Sequence, residues 1–371
     1  MKEPLYLDSH TTHMMSTETK ELFCAKSCEY EGAISTPHFI GQRQIYPVKQ
    51  VLKELYQALG LRKEDHLYLV SGNAEGVATV LAHVYNTICR TTGKTLLLKS
   101  VMEESVITPC YDQMKERGCL IANIPVDECG VLDKDAFRKT VSRHSALFSC
   151  SVAHALTGVI QPMQDVIDLC RDQDVKIHVD ISTLLGKYPM SFYDLDVDFM
   201  TIEGSIIGAP LGTGLLISRS HIEPLFPGKE LAIPSHLLAL SSAIQEQLEQ
   251  FEAFSMEGAR LRDLLEEKLL RGYPDAKVLF SKAHRLLNCS CMIFPHVHAE
   301  MLLYDLHRHD IYASIGRFQT LVPALKEMGY GIDALSAISF SLSRFTTEEE
   351  ICEAAKRILT SLQRLRKLEM G

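Results

Sequence analysis

The chain has 371 residues, 46% of them apolar and 23% charged, and a formal net charge of −9. That length buries a sizeable core and suits two domains, and no tract is biased enough to suggest disorder. The acidic balance argues against a nucleic-acid surface; with no apolar leader in MKEPLYLDSH and no bilayer-length apolar run, a soluble cytosolic protein is expected. In chain order, Leu5 to Leu7 reads as a short strand, helical spacing begins at Thr19, and Ser35 to Gly41 is a turn-rich loop. Val51, Leu52, Leu55 and Leu59 recur at helical intervals and predict a helix over 48–59. Leu67 to Val70 is a strand, Ser71 to Glu75 a turn, and Gly76 to Ile88 a helix. A strand, a glycine turn and a helix start make a phosphate cradle in many folds, although every βα unit needs such a turn.

The alternation continues with strands at 96–99, 120–124 and 147–152 and helices at 106–117, 133–142 and 163–173. Lys176 to Val179 is an apolar strand ending at Asp180, and Asp198 to Ile202 is the next strand. A glycine-rich turn, Gly204 to Gly214, leads into a third, Leu215 to Ser218. The rhythm predicts an α/β domain with a mostly parallel sheet, and ligands of such sheets sit at the carboxyl ends of the strands. An acid at one strand end and a glycine-rich turn after the next therefore mark a cofactor mouth. His236 to Leu270 is one long or kinked helical region. Beyond Gly272 the order changes to strands at 277–280, 289–294, 311–314 and 337–341, with helices at 299–307 and 347–368, a smaller α+β unit. Eleven cysteines are scattered without a C-x-x-C pair and read as reduced core residues. Cys289-Ser-Cys291 fits two side chains on one strand face better than a zinc knuckle.

Several motifs stand in a common order. Leu7-Asp-Ser-His-Thr-Thr12 resembles L-D-x-x-A-T-T, His38-Phe-Ile-Gly41 resembles H-x-x-G, and Ser71-Gly-Asn-Ala-Glu75 resembles S-G-A-T-E. Gly158-Val-Ile-Gln161 resembles G-x-x-Q. His178-Val-Asp180, Gly186-Lys187 and Pro189 fall as in H-V-D-x-x-Q-x-x-G-x-x-P, and Ala209 to Gly214 resembles G-P-K-G-x-G. Phe340-Ser-Leu-Ser-Arg-Phe-Thr-Thr-Glu-Glu-Glu-Ile351 is close to R-F-S-L-G-R-F-T-T-E-E-E-I. Over nearly its whole length the chain thus resembles the cysteine desulfurase family, within the class V aminotransferases of the fold-type I pyridoxal-phosphate proteins. The resemblance implies a large α/β domain over 15–252 and a small α+β domain formed by 1–14 with 253–371. It also implies subunits that pair across a broad face.

The chemistry that the resemblance implies is missing residue by residue. The family's S-G-H-K, with its Schiff-base lysine, corresponds to Glu203-Gly-Ser-Ile206, and Ile206 cannot form an imine. No other lysine falls between Lys187 and Lys229. Lys187 matches a family lysine that is not the Schiff-base residue. Where the phosphate would find a serine and a histidine stand Glu203 and Ser205, and a carboxylate beside a phosphate costs on the order of 1 to 4 kcal/mol near a surface. Ala74 replaces the threonine of S-G-A-T-E. The ring-stacking histidine aligns near Val152, with His154 two positions on as an alternative on the same face or as a structural histidine. The ring's asparagine partner maps to Ala155 and the glutamine after H-V-D to Thr183. Asp180 remains, either to pair a pyridinium nitrogen or to cap the following turn. The substrate-clamping arginine falls at Ser339, and Arg344 matches the second, structural one. The loop for the persulfide cysteine, Ala313 to Thr320, has none, and Cys291 and Cys352 lie elsewhere.

These losses together suggest a pseudoenzyme with no cofactor, acting as a scaffold or regulator. It would form a homodimer, or a heterodimer with an active desulfurase paralogue, and could serve iron–sulfur assembly proteins. Two alternatives remain: an active pyridoxal-phosphate enzyme with an unexpected lysine or non-covalent cofactor, and a module that uses the old pocket for another small molecule or a metal. For the metal, His10, His13, His38, His154 and Asp180 are the candidates.

Overall fold

The computed structural model describes residues 4–29, 34, 36–103, 105–189, 195–223, 225, 234–316 and 320–369. A short strand β1 (Leu5–Tyr6) is followed by helices α1 (Thr17–Ser27), α2 (Phe39–Gln42) and α3 (Ile45–Ala58). Then come β2 (His66–Val70), α4 (Asn73–Val84), a π-helical stretch over Tyr85–Cys89, and α5 (Arg90–Thr92). The βα rhythm runs through β3 (Leu96–Ser100), α6 (Thr108–Glu116), β4 (Leu120–Ile124), α7 (Lys134–Thr140), β5 (Ser145–Ser151), α8 (Met163–Arg171) and β6 (Lys176–Asp180). It closes with β7 (Phe199–Glu203), α9 (Gly204–Ile207), β8 (Gly214–Ser218), α10 (Pro234–Glu249) and α11 (Phe251–Gly272). The C-terminal part holds β9 (Lys277–Val278), β10 (Cys289–Ile293), α12 (Ala299–His307), β11 (Ile311–Tyr312), α13 (Leu321–Glu327), β12 (Ala337–Ser341) and α14 (Glu348–Glu369).

Seven strands form the main sheet in the order β2-β8-β7-β6-β5-β3-β4. All its pairings are parallel except those of β8, which runs against β2 and β7. The near-continuous apolar runs in the inner strands follow from burial on both faces, while the edge strands β2 and β4 are only partly covered. Leu98, Phe148, Val179 and Ile202 pack into one core, and Leu97, Leu147, Phe199 and Leu216 into another. A third core gathers Leu5 and Leu7 with Leu265, Phe294, Phe340 and Ile358, so the N-terminal strand packs among C-terminal elements. There β9, β10 and β12 form an antiparallel sheet, while β1 pairs with β11.

Where the structure departs from the sequence reading, the cause is local backbone or a distant partner. The expected strand to Phe280 stops at Val278, because Phe280 has a left-handed φ of 58°. The strand expected over 311–314 ends at Tyr312, and Ser314 makes only an isolated bridge to Ser339. The long region from His236 is two helices, broken at Gln250, where ψ is 3°. The loop expected over 35–41 contains the start of α2, whose N-terminus is capped by the His38 side chain; Ser35 lies outside the described residues. The glycine-rich turn after β7 contains α9, and α13 carries no periodic signal long enough to have been noticed. Helix α4 begins at Asn73 rather than Gly76, for a reason that belongs to the site.

Candidate functional site

Three parallel strands end together. Their register sets Ser151 of β5 opposite Asp180 of β6, and Asp180 opposite Thr201 of β7. Asp180 is buried, and its carboxylate accepts from the Ser182 hydroxyl (2.8 Å), the Ser182 amide (3.2 Å) and the Thr201 hydroxyl (2.9 Å). Burial pushes its pKa up to about 6, against these bonds and one from the Asn73 side chain, which hold it down. Asp180 is therefore tied to its own turn and to the neighbouring strand. His178 bridges Ser149 Oγ (2.8 Å) and Thr201 Oγ1 (3.1 Å), and burial lowers its pKa to about 3, so it is neutral.

Glu203, the last residue of β7, decides the character of the site. Its Oε2 accepts from the Asn73 amide at 2.7 Å, on the first residue of α4. Its Oε1 accepts from Ser205 Oγ at 3.1 Å, and its own amide donates to Ser182 Oγ at 2.7 Å. Gly72 precedes α4 with φ 147°, and a Cβ built there would lie 2.5 Å from Glu203 Oε2. The carboxylate thus sits on the N-terminus of a 12-residue helix, where unpaired amides and the helix dipole favour an anion. The sequence reading placed Glu203 beside a phosphate; the structure puts its carboxylate in the seat itself. The family's cofactor phosphate does not fit this cradle while Glu203 fills it. Ile206, on α9, is buried and lines the cavity beside Glu203.

The other expected positions divide. Ser205 is buried and takes part through Glu203, and His154 lines the same cavity. His154 Nδ1 contacts Thr157 Oγ1 at 3.0 Å, and burial lowers its pKa to about 4, so it is a neutral wall residue. Ala155 lines the cavity as well, and its carbonyl contacts His10 Nδ1 at 2.9 Å. Val152 is not brought to the cavity: it packs in the sheet core and lines a separate recess with Gln161, Leu184 and Tyr188. Ala74 is exposed on the first turn of α4, and Thr183 is buried in the loop after Asp180. Ser339 is buried on β12. Arg344 points to α10, where it ion-pairs with Glu246.

Of the loop expected to carry a persulfide cysteine, Arg317, Phe318 and Gln319 lie outside the described residues, while Gly316 and Thr320 line the cavity. Cys291 is buried on β10 and burial drives its thiol far up; Cys352 is half-buried on α14. The five candidate metal ligands do not converge. His10 contacts Ala155 and Asn288, His13 contacts the Met14 carbonyl, and His38 caps α2. Among the described residues no group of three or more His, Cys, Asp or Glu could hold a metal ion.

Three charged cavity residues escaped the sequence reading: Lys99 near the end of β3, Glu103 just beyond it, and Glu327 at the end of α13. The signal was available: Lys99 is the one charged residue in an otherwise apolar strand start, Leu96 to Leu98.

The aminotransferase class V family profile matches residues 5–232. A cysteine desulfurase of Trichormus azollae is 26% identical over 381 aligned positions, covering 98% of this chain and 94% of that protein. The cysteine desulfurase NifS of Azotobacter vinelandii is 25% identical over 378 positions, covering 98% and 93%. A solved NifS-like protein superposes with a TM-score of 0.88 at 23% identity, covering 97% of this chain and all of that one. The NifS-like protein of Rickettsia africae gives 0.84 at 22% identity, covering 98% of this chain.

Proposed function

Because the chain belongs to the aminotransferase class V family and has the cysteine desulfurase type of fold, we propose that it is a desulfurase-like pseudoenzyme, a scaffold or regulator that does not hold pyridoxal phosphate. The family is one of pyridoxal-phosphate proteins, which makes that cofactor the natural one to test. The reading rests on a single observation, the Glu203 carboxylate on the amide of Asn73. A phosphate would have to displace an anion already tethered in place and already hydrogen-bonded. Ile206 removes the amine from the family's Schiff-base position, and the cysteines of β10 are buried thiols. Among the described residues no helix is long and apolar enough to cross a membrane.

The finer parts of the reading are proposed with it. The protein acts in the cytoplasm, with a large domain over 15–252 and a small one from 1–14 with 253–371. It pairs with a second copy or with an active desulfurase, and through that partner it reaches iron–sulfur assembly. The residues at Asp180, Thr183, Ser205, Ala74 and His154 are relics of the ancestral pocket, to which Val152 no longer belongs.

The test is direct. The purified protein is incubated with pyridoxal phosphate, desalted, and assayed for sulfide release from cysteine. No visible chromophore is retained and no sulfide is released. A yellow protein that turns over cysteine overturns the proposal.

A further inference from the structure

Beside Glu203 lies a cavity of about 260 Å³. Val101, Met102, Leu156 and Ile206 supply apolar walls, and Lys99 and Glu103 reach it from the end of β3. The ammonium of Lys99 stands 5.9 Å from the ring centroid of Tyr111, and among the described residues it has no carboxylate at ion-pair distance. Burial lowers its pKa, with Glu103 pulling the other way. The carboxyl of Glu103 accepts from the Ser151 amide at 2.7 Å and the Ser151 hydroxyl at 3.1 Å. Burial raises it to about 7, with Ser151 and Lys99 holding it down. A desolvated lysine supplies a fraction of neutral, nucleophilic amine. A carboxyl that titrates near neutrality can give and take a proton.

We propose that this cavity captures a small carbonyl compound lacking phosphate as an imine on Lys99, with Glu103 moving the proton. Lys99 Nζ attacks the carbonyl carbon and a C–N bond forms. The two protons of the neutral amine pass to the carbonyl oxygen, one by way of Glu103, the C–O bond breaks and the oxygen leaves as water; nothing is oxidised or reduced, and hydrolysis reverses the step. The ligand class follows from the walls. Glu103 and Glu203 both face the space, and Glu203 fills the neighbouring anion seat, so anionic aldehydes are disfavoured and neutral aromatic or aliphatic ones fit. The inference rests on the proposed function only in that Glu203 leaves no seat for a phosphate.

Reductive trapping tests it. The full-length protein is treated with benzaldehyde and cyanoborohydride, in parallel with pyridoxal phosphate and cyanoborohydride, then digested and mapped by mass. Benzaldehyde is expected to modify Lys99 ahead of every other lysine. Lys99→Arg removes that adduct alone, and Glu103→Gln slows its formation by about tenfold or more. Benzaldehyde spread evenly over surface lysines, or absent from Lys99 in the unmodified chain, overturns the inference and leaves the proposed function standing. Selective labelling of Lys99 by pyridoxal phosphate, retained on desalting, overturns both the proposed function and the phosphate-free ligand class inferred here.

Discussion

At the scale of single residues, Glu203 joins two strand ends and a helix through three hydrogen bonds. Glu203→Ala leaves the Asn73 amide and the Ser205 hydroxyl without an acceptor and removes the charge from the helix terminus. A loss of about 1–3 kcal/mol is expected in urea unfolding, with Glu203→Gln intermediate. The buried titratable groups set the response to pH. His10, His13 and His178 are lowered to about 3 and His154 to about 4, in each case first by burial. Their folded pKa values lie below the unfolded value of about 6.5. Unfolding therefore takes up protons, and their stabilisation is lost as pH falls below 6.5. Asp180 and Glu103 are raised to about 6 and about 7, so their contribution has the opposite sign and declines as pH rises from about 4. Four histidines outweigh two carboxyls, and stability should fall from pH 6.5 to pH 4 with a net uptake of about two protons on unfolding. Melting temperature against pH reads this; a flat profile would mean that the histidines are open to water.

At the scale of elements, the start of α4 illustrates how a helix can be defined from a distance. Gly72 adopts φ 147°, and the space where its Cβ would stand is taken by the Glu203 carboxylate. Gly72→Ala forces either the backbone or the carboxylate to move, at a cost of about 1–3 kcal/mol. Combined with Glu203→Ala the two costs should not add, because each removes the same contact; a double-mutant cycle in urea measures the coupling. Helix α10 carries a second fixed point. Glu246 ion-pairs with Arg344 and accepts from Ser16 Oγ (2.6 Å) and Thr19 Oγ1 (2.8 Å), which ties α1, α10 and the segment after β12 together. Burial, which alone would raise the Glu246 pKa, is outweighed by these partners, and the net shift is downward. Arg344→Ala leaves the Glu246 carboxylate to hydroxyl donors alone, Ser16 and Thr19 among them, and a loss of about 1–3 kcal/mol is expected by denaturant unfolding.

At the scale of the whole molecule, the proposed partnership needs a surface. Phe39 on α2 and Tyr46 on α3 are each 78% exposed, two large rings left in water on adjoining helices. The unmodified chain is expected to run as a dimer in native mass measurement, and Phe39→Asp with Tyr46→Asp to shift it toward the monomer. A monomer at all concentrations of the unmodified chain would remove the self-pairing reading and leave only a partner of different sequence.

Strand alternation, the βα order and the identity of the strand-end acid were legible in the chain itself, because a sheet buried on both faces demands apolar runs of a recognisable length. The residues at the family's motif positions, Ile206 and Glu203 among them, could likewise be read directly, since side-chain chemistry travels with the letter. What Glu203 does could not. Its partner is the amide of Asn73, 130 positions earlier, and only the pairing of β7 with β8, and of β8 with β2, carries the two within 2.7 Å. Lys99 and Glu103 meet the cavity for a similar reason: which strand ends adjoin is a property of sheet order, and sheet order is decided by how the whole core packs.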